Sequence, residues 1–423
     1  MASGSTIVRL ALRSVYNRRG TALLTIFSIA VSVTLLLGVE RIRTEAHASF
    51  TNTISGTDLI IGARSGDLNL LLYAVFRIGN ATNNITWETY KDIAAQREVA
   101  WTIPISLGDS HRGFRVMGTS PEYFRYFHFA RNRTLEFADG KPFTEIFDAV
   151  LGADVAKQLG YRVGQEIVVA HGLGAKSFAE HKDKPFIVTG ILRKTGTPVD
   201  RTVHVSLQGI EAIHVDWQEG AHKPGDPTSV EAVRRMDLTP KQITACLVGL
   251  KSRVAAFRLQ RAINEYPDEA LSAVMPGVAL QQLWDLVGVV EIALLTVSGF
   301  VVLGGLLGML TAILTSLNER RREMAILRSV GARPWHIAAL LISEAGILAL
   351  GGVLLGFVFV YLIMFGLTPL IENRFGIFIT IRPPSAYDLT IAALVVGAAL
   401  LMGTIPAWRA YRNALADGLT IRI

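Results

Sequence analysis

The sequence contains few of the residues and motifs on which enzymes and disulfide-stabilised proteins depend. Its single cysteine, Cys246, cannot form an internal disulfide, so any soluble part must be stabilised by its own hydrophobic core. A phosphate-binding loop is missing, because Gly140-Lys141 is followed by Pro142 rather than by serine or threonine. No serine lies in a nucleophile elbow motif. We therefore expect no catalytic residue and no bound cofactor in this chain.

Recognisable metal-binding motifs are also missing. The nine histidines include no His-Glu-x-x-His sequence and no pair at a metal-binding spacing. Four of them could still meet in the folded chain, namely His171, His181, His204 and His214. We expect solvated loop histidines instead, because their spacing matches no known site. The sequence therefore predicts no metal site.

Four stretches contain no charged residue, and they are the strongest signal in the sequence. They cover residues 21–39, 292–317, 345–371 and 389–408. Each meets or approaches the roughly 20 residues that a helix needs to cross a bilayer. Half of all residues are hydrophobic, too many for an ordinary soluble protein and too few for a chain that lies wholly in a membrane. The sequence predicts four transmembrane helices and a separate folded domain.

Arginines flank these stretches unequally. Most lie in the N-terminal segment, the loop after the second stretch and the C-terminal tail, whereas the loop between the third and fourth has only Arg374 and Arg382. Positive residues in short flanks remain cytoplasmic, while long domains are translocated largely regardless of charge. We expect a multi-pass protein of the bacterial inner membrane with both termini in the cytoplasm. The net charge of +7 follows from this topology, and no basic motif interleaved with aromatics suggests nucleic acid.

The fold class predicted is an α-helical membrane protein, with an α+β periplasmic domain inserted after the first of its four transmembrane helices. The segments are an N-terminal amphipathic helix (1–20), transmembrane helix one (21–39), the periplasmic domain (40–285), helix two (286–317), an arginine-rich helix and turn (318–336), helix three (337–371), a periplasmic loop (372–388), helix four (389–408) and a cytoplasmic tail (409–423). Residues 21–39 have a second interpretation as a cleaved signal peptide, and residues 1–20 as a plain positive flank.

The predicted periplasmic domain combines short strands, short helices and turns. A hairpin is expected from residues 101–107 and 113–118 around a Gly108-Asp109-Ser110 turn. Further strands are predicted at 166–170, 186–192, 202–205, 245–250 and 271–275, and helices at 153–159 and 254–266. Residues 217–228 are rich in Gly, Pro and charge, and are expected to form an exposed loop or subdomain boundary. This pattern predicts an α+β domain of two lobes.

The arginine-rich segment between the second and third apolar stretches reads Glu319-Arg320-Arg321-Arg322-Glu323-Met324-Ala325-Ile326-Leu327-Arg328-Ser329-Val330-Gly331-Ala332-Arg333-Pro334. We expect helix two to continue through Val330, with Met324, Leu327 and Val330 on one face, until Gly331 ends it and Pro334 begins helix three. An apolar strip among arginines fits a groove on a cytoplasmic partner. A helix held on the membrane surface by anionic lipids is the alternative.

Two further features lie in or beside the membrane helices. Small residues recur four apart, which permits close helix approach either within one chain or between two copies. These pairs are Ser28 and Ser32, Gly304 and Gly308, and Gly352 and Gly356. Glu344 is an acid at the predicted cytoplasmic end of helix three. We expect it to pair with a loop arginine rather than to contact substrate.

These residues carry a family resemblance. The segment from Arg322 to Ala332, with Pro334, Glu344 and the following Gly351-Gly352-x3-Gly356, resembles the loop and third helix of the MacB, FtsX and LolC/LolE type of ABC transporter permeases, the type VII or mechanotransmission fold. Residues 151–165, 186–192 and 201–207 resemble the periplasmic core domain of that family. The resemblance covers essentially the whole chain. It departs from MacB, which carries an ATPase domain ahead of its first helix, and from FtsX, whose outer domain is smaller.

The resemblance implies a permease subunit that works with two copies of a separate cytoplasmic ATPase, which binds ATP and Mg²⁺. A second copy of the chain or a homologue, membrane lipids, and a periplasmic adaptor or substrate-binding protein are further expected partners. In this family the arginine-rich helix couples permease to ATPase, which would assign that role to Arg320, Arg321, Arg322, Glu323, Met324, Leu327, Arg328, Gly331, Ala332 and Arg333. Motion would pass to an outer domain that handles cargo, as in efflux or lipoprotein or peptide export. An FtsX-like regulator of a periplasmic enzyme and a membrane-anchored receptor without an ATPase are the alternatives.

Overall fold

The computed structural model describes residues 4–130, 132–172, 181–218, 221–222, 228–375 and 381–412. The chain divides into two compact units. The helical unit comprises Met1–Glu45, Gly288–Leu370 and Ile379–Ile423, and the sheet unit comprises Ala46–Val287 and Ile371–Phe378.

The helices and strands of the described residues follow in chain order. The α-helices are α1 (Gly4–Asn17), α2 (Arg19–Thr53), α3 (Asp67–Leu71), α4 (Trp87–Ala94), α5 (Glu122–Tyr126), α6 (Ala153–Leu159), α7 (Leu207–His214), α8 (Val230–Val233), α9 (Ala256–Asn264), α10 (Pro276–Glu319), α11 (Arg321–Ser329), α12 (Pro334–Phe375) and α13 (Ala386–Arg412). The strands are β1 (Leu59–Ala63), β2 (Ile85–Thr86), β3 (Val99–His111), β4 (Phe114–Thr119), β5 (His128–Phe129), β6 (Arg133–Thr134), β7 (Phe137–Gly140), β8 (Asp148–Leu151), β9 (Glu166–Ile167), β10 (Ala170–His171), β11 (Phe186–Leu192), β12 (Thr202–Ser206), β13 (Trp217–Gln218), β14 (Ala221–His222), β15 (Gln242–Ile243), β16 (Ala245–Leu250) and β17 (Leu271–Val274).

The helical unit contains four helices that are long and apolar enough to cross a membrane. These are the segments Arg19–Ala48 of α2, Pro276–Leu317 of α10, Pro334–Leu370 of α12 and Ala386–Ala410 of α13. The four predicted apolar helices are therefore confirmed. Each helix is longer than its uncharged stretch, because backbone hydrogen bonding continues past the point where charged side chains begin.

The core of the helical unit is formed by α2, α12, α13 and the C-terminal half of α10. Ile29 and Val33 of α2 pack with Ala345 and Ala349 of α12, and all four are buried. Helix α1 forms over part of residues 1–20, and its Ile7 and Ala11 are buried against α12. Helix α10 is far less covered, and large apolar side chains such as those of Ile292 and Phe300 are exposed along it.

The sheet unit is built on a mixed sheet. Its strand order is β17-β1-β16-β3-β4-β12-β8-β11-β7, with β10 beside β3 and β9 beside β11. The pairs β4–β12 and β8–β11 are parallel, and the other pairs of this sheet are antiparallel. Strands β1, β8 and β12 are buried at every position, as expected for strands covered on both faces. The sheet is continuous, so the expected two lobes are not separated by a break in it.

The predicted hairpin forms, but its turn is displaced. Strand β3 continues through residues 108–110 to His111, with an irregularity in its pairing to β4 between Leu107 and Ser110. The chain reverses at Arg112-Gly113, where both residues have positive φ, 47° and 86°. Such dihedrals are typical of the tight turns that match the twist of paired strands. The predicted Gly108-Asp109-Ser110 turn is therefore wrong, and Asp109 lies on a strand.

Most other predicted elements of this unit form, with changed limits. Strands β11 and β16 and helix α6 have the predicted bounds. The strand predicted at residues 166–170 is divided into β9 and β10, and the helix predicted at 254–266 is α9 preceded by a 3₁₀ turn at Arg253–Ala255. Within 217–228, β13 pairs with β14, whereas residues 219–220 and 223–227 lie outside the described residues.

The expectation of solvated loop histidines is wrong. His181 and His204 are fully buried, and the side chains of His171 and His214 are 31% and 28% exposed. His204 lies on β12, where its Nδ1 donates to the Val150 carbonyl oxygen at 3.2 Å. Burial lowers the pKa of His204 to about 3, so its ring is neutral. The other three are brought together by pairing between strands that are distant in sequence, which the local spacing could not reveal.

Cys246 lies on β16 and is fully buried in the core of the sheet unit. Burial raises the pKa of its thiol to about 12. Since the thiolate is the reactive form, this cysteine is a core residue and is chemically inert at neutral pH.

Candidate functional site

The arginine-rich segment forms a helix of its own. Helix α10 ends at Glu319, Arg320 leaves the helical conformation with φ −99° and ψ 14°, and α11 begins at Arg321. The predicted continuation of the second membrane helix through Val330 is therefore wrong. The Arg320 Nε donates to the Glu323 carboxylate at 2.7 Å, and Glu323 lies in the first turn of α11, where the helix dipole favours an acid.

The C-terminal end of α11 follows the sequence expectation. Gly331 has φ 101°, a conformation that other residues adopt only with strain. The Gly331 and Ala332 amides donate to the carbonyl oxygens of Arg328 and Leu327, at 3.0 and 2.9 Å. These bonds satisfy the last carbonyls of α11, and α12 then begins at Pro334.

The apolar face of α11 differs from the predicted one. Met324 is half-buried against the core of the helical unit, whereas Val330 is 83% exposed and Ile326 is 63% exposed. The predicted strip of Met324, Leu327 and Val330 is thus divided, because the break at Arg320 turns Met324 towards the neighbouring helices. Arg322 and Glu323 are exposed on the outer surface of α11.

A largely apolar groove lies between α1 and the turn that joins α11 to α12. Its lining includes Ile7, Leu10, Leu327, Val330, Trp335 and Leu340. The side chain of Trp335 is about half exposed there, and Arg333 and His336 add polar groups to the lining. An exposed aromatic and aliphatic surface bordered by a cation has the composition of a protein-binding surface.

Glu344 of α12 is the centre of a buried ion-pair cluster, here called the Glu344 cluster. Its carboxylate is 2% exposed and pairs with Arg18, at the junction of α1 and α2, and with the Arg320 Nη1 at 3.4 Å. The Ser14 hydroxyl also donates to it, at 3.4 Å. The pairing with a loop arginine is thus present, through Arg320. The pairing with Arg18 was not anticipated, because its partner is 326 residues away in sequence.

A second buried ion-pair cluster, the Asp388 cluster, lies further along α2, beyond its uncharged part. Arg41 donates to the Asp388 carboxylate at 2.7 Å, to the Tyr361 hydroxyl at 3.0 Å and to the Arg382 carbonyl oxygen at 2.9 Å. Asp388 also accepts the Ser385 amide at 2.8 Å, in a capping box that begins α13. The Ser385-x-x-Asp388 spacing is the sequence signal for this cap.

The two clusters lie far apart along the same helices. Arg18 and Arg41 flank the whole uncharged part of α2 and are separated by roughly 35 Å at the rise of an α-helix. This separation is close to the ~30 Å of a bilayer's hydrocarbon core. Charged side chains are costly in hydrocarbon unless they are paired. Buried ion pairs at both ends of an uncharged span therefore fit a membrane-spanning helix.

The three predicted small-residue pairs differ in what they contact in the structure. A Cβ at Gly352 would lie 2.6 Å from the Ile29 Cβ, and one at Gly356 would lie 2.9 Å from the Val33 Cβ, so both glycines permit close contact between α2 and α12. Ser32 donates to the Val301 carbonyl oxygen at 3.1 Å, and the adjacent glycine on α10 is Gly305. The side chain of Ser28 is exposed.

Gly304 and Gly308 have a different environment from these glycines. A Cβ added at either would meet no heavy atom within 4 Å among the atoms that the structure describes. Their face of α10 is therefore open in the single chain.

Replacing Gly352 by valine should disrupt the packing of α2 on α12. The added side chain would overlap Ile29, and overpacking of this kind costs about 1–3 kcal/mol. We expect a lower unfolding midpoint of the detergent-purified chain. Gly366→Val is the matched control on the same helix, since a Cβ at Gly366 meets nothing within 4 Å. Equal midpoints for the two variants would contradict the described contact.

Two family models match the chain and agree with the resemblance. The sequence model of a MacB-like periplasmic core domain matches residues 22–265, and that of an FtsX-like permease C-terminal domain matches residues 295–415. The periplasmic region of MacB from Actinobacillus actinomycetemcomitans is similar over 55% of this chain and 94% of its own, with 13% identity and a TM-score of 0.35. The extracellular domain of the noncanonic ABC-type transporter YknZ from Gram-positive bacteria is similar over 51% of this chain and 98% of its own, with 13% identity and a TM-score of 0.30. No curated protein sequence matches the chain.

Proposed function

Because this chain belongs to the family of permeases with a MacB-like periplasmic core domain and an FtsX-like C-terminal domain, we propose that it is the membrane subunit of an ABC transporter driven by a separate ATPase. In this proposal the chain is not itself an enzyme. It binds the ATPase on one side of the membrane and acts on cargo, or on a partner protein, at the other.

The proposed orientation places α11 and both termini in the cytoplasm and the sheet unit in the periplasm, with one transmembrane helix before the sheet unit and three after it. The unequal distribution of arginines supports this arrangement, because positive residues accumulate in cytoplasmic flanks. The two ion-pair clusters support the length of the span. On this assignment the Glu344 cluster lies at the cytoplasmic side and the Asp388 cluster at the periplasmic side of the inner membrane.

The observation that carries the proposed coupling is the ion pair that joins the start of α11 to α12. Arg320, at its start, pairs with Glu344 of α12 and with Glu323, while the Arg322 and Glu323 side chains face outward. A partner that binds the exposed side of α11 would therefore act on a helix that is bonded to the bundle. We refer to α11 as the coupling helix, and we propose the apolar groove beside α1 as part of the same ATPase-binding surface.

The proposed route for motion is the chain itself. Helices α2 and α10 each continue without a break from residues of the helical unit into residues of the sheet unit. ATP-driven closure of the ATPase would displace the coupling helix, and the long helices would carry that displacement to the periplasmic domain. Work on cargo from the periplasmic side, as in efflux or in export of lipoproteins or peptides, fits this route.

We further propose that two copies, or this chain and a homologue, pair through α10. Gly304 and Gly308 lie on an open face of a helix whose apolar side chains are mostly exposed. Small residues four apart permit helices to approach closely in a membrane. Of the two predicted glycine pairs, the one on α10 is therefore open and the one on α12 is already used within the chain.

Introducing cysteine at Gly304 tests this pairing. We expect Gly304→Cys to form a covalent dimer in membranes under mild oxidation, because a homodimer would place the two thiols close together. The native Cys246 is buried and gives no background. Gly366→Cys, an open position on α12, is the control and should remain monomeric. Equal cross-linking at both positions would contradict an α10 interface.

The proposed function itself is tested by purification of the full chain from its native membrane. We expect a nucleotide-binding protein to co-purify, and its ATP hydrolysis to rise when the permease is present in lipid. A chain that purifies without such a subunit would favour a membrane-anchored receptor. Stimulation of hydrolysis by a periplasmic enzyme, with no response to any cargo, would favour a regulator of the FtsX type.

A further inference from the structure

We propose that the sheet unit contains a binding site for a divalent transition metal of the zinc type, formed by Asp109, His171, His181 and His214. Each residue offers one ligand atom, and the four ligand atoms lie within 4.8 Å of one another. The site is separate from the coupling helix and from the ion-pair clusters of the helical unit. Whether this metal site exists therefore does not depend on the proposed coupling to an ATPase.

The backbone places two of these residues directly opposite each other. Strand β10 pairs with β3 so that His171 is in register with Asp109. Side chains at paired positions of antiparallel strands lie on the same face of a sheet, within about 5 Å at their Cβ atoms. The His171 Nδ1 accordingly lies 3.1 Å from the Asp109 Oδ1.

The third residue, His214, comes from the last turn of α7. Its Nε2 lies 3.7 Å from the Asp109 Oδ1 and 3.4 Å from the His171 Nδ1. The His214 ring also hydrogen-bonds the backbone of Ile210, and since Nε2 faces Asp109, Nδ1 is the donor. Metal-bound histidines commonly donate their second ring nitrogen to a backbone carbonyl, which leaves the first free to bind the metal.

The fourth residue, His181, gives an independent indication of a ligand. Its side chain is fully buried, and neither ring nitrogen has a hydrogen-bond partner in the part of the chain that the structure describes. A buried polar group without a partner is costly, so an imidazole in this position requires a compensating contact. The His181 amide donates to the Val169 carbonyl oxygen at 2.9 Å, which holds this residue beside β10.

The distances suit a tetrahedral ion. Zinc binds histidine nitrogen and carboxylate oxygen at about 2.0–2.2 Å, which corresponds to ligand separations of roughly 3.3–3.6 Å in a tetrahedron. The separations among Asp109, His171 and His214 are 3.1, 3.4 and 3.7 Å, each within about 0.2 Å of this range. Only a small inward movement of His181 would complete the set.

The chemistry of the donors selects the class of metal. Three imidazoles and one carboxylate suit zinc and its neighbours, whereas Ca²⁺ and Mg²⁺ require mainly oxygen ligands. The site is reachable, because the side chains of His171 and His214 are partly exposed. Bound metal would join β3 and β10 to α7 and to the segment that contains His181, and so stabilise this part of the sheet unit.

Direct metal binding by the full chain tests the proposal. The protein is purified in detergent through an affinity tag that contains no histidine, treated with chelator, and dialysed against Zn²⁺. We expect the wild type to bind one more zinc ion per chain than the double variant His181→Gln, His214→Gln. Affinity should fall by more than about 100-fold in that variant, since even the loss of an outer hydrogen-bond partner costs 10–100-fold. Zinc should raise the unfolding midpoint of the wild type only.

Two controls keep this test decisive. His128→Gln removes a histidine outside the cluster and should leave zinc binding unchanged. Without metal, the double variant should unfold at the same midpoint as the metal-free wild type. If the double variant does not fold, the single variant Asp109→Asn replaces it in the test.

A Co²⁺ spectrum is the second measurement. Co²⁺ bound to the wild type should give the intense visible absorption of a tetrahedral complex. Equal zinc content in folded wild type and variant, or an octahedral Co²⁺ spectrum, would overturn the proposal.

Discussion

Replacing Arg322 and Glu323 together by alanine is expected to abolish stimulation of the partner ATPase, while the amount of permease in the membrane stays unchanged. Both side chains are exposed on the coupling helix, and neither belongs to the core of the helical unit. Charged side chains at the centre of an interface can each contribute about 2 kcal/mol or more to binding. Losing about 2 kcal/mol from one of these side chains already corresponds to roughly 30-fold weaker association with the ATPase. ATP hydrolysis by the reconstituted complex, measured against permease concentration, is the readout.

A matched control separates docking from folding in this variant. Arg409→Ala removes an exposed arginine near the end of α13, on the same proposed side of the membrane but outside both the coupling helix and the apolar groove. It should leave the stimulation intact. The Arg320–Glu323 pair is lost with Glu323, but the Glu323 side chain is 64% exposed and Arg320 keeps its pairing with Glu344, so the unfolding midpoint should change little. Normal stimulation in the double variant would remove the coupling role from this helix.

Replacing Glu344 by glutamine is expected to destabilise the helical unit strongly. The neutral amide would leave Arg18 and Arg320 beside a buried position without a negative charge. Removing one partner from a buried ion pair costs about 3–5 kcal/mol, because the remaining charge is uncompensated. We expect a lower unfolding midpoint in detergent, and weaker ATPase stimulation in the folded fraction because Arg320 no longer joins the start of α11 to α12.

The control for Glu344 is an acid in a more exposed ion pair. Glu291 pairs with Arg43 at 2.6 Å, and the Arg43 side chain is 42% exposed. Exposed pairs contribute at most about 1 kcal/mol, so Glu291→Gln should be close to wild type in stability. If both variants unfolded at the wild-type midpoint, the Glu344 cluster would have no structural role.

The membrane helices were predictable from the sequence for a direct physical reason. Hydrocarbon excludes charged side chains, so an uncharged stretch of sufficient length has few alternatives to a spanning helix. The break in the second long helix was not predictable in the same way. It occurs at Arg320, whose partner Glu344 lies on the next helix, and local periodicity continues through this point. The end of this helix therefore coincides with an ion pair between distant segments, which local sequence does not reveal.

In the sheet unit, too, elements set by local sequence were predictable, whereas features formed by residues far apart in sequence were not. Strands β11 and β16 were found because their apolar residues form short runs bounded by turns. The hairpin turn was misplaced because Gly108-Asp109-Ser110 has turn residues, whereas Arg112-Gly113 supplies the positive φ angles. Asp109 therefore lies on β3 in register with His171, rather than in a turn. The histidine cluster was missed because its members come from β10, α7 and the residues before β11, which only the fold brings together.

The orientation of the chain is the premise of the whole coupling proposal, and two exposed valines allow it to be measured. Val254 of the sheet unit is 87% exposed and Val330, just after the coupling helix, is 83% exposed, while the native Cys246 is buried. A membrane-impermeant maleimide should label Val254→Cys in intact spheroplasts and Val330→Cys only after the membrane is opened. Labelling of Val330→Cys from outside, with Val254→Cys protected, would contradict the account.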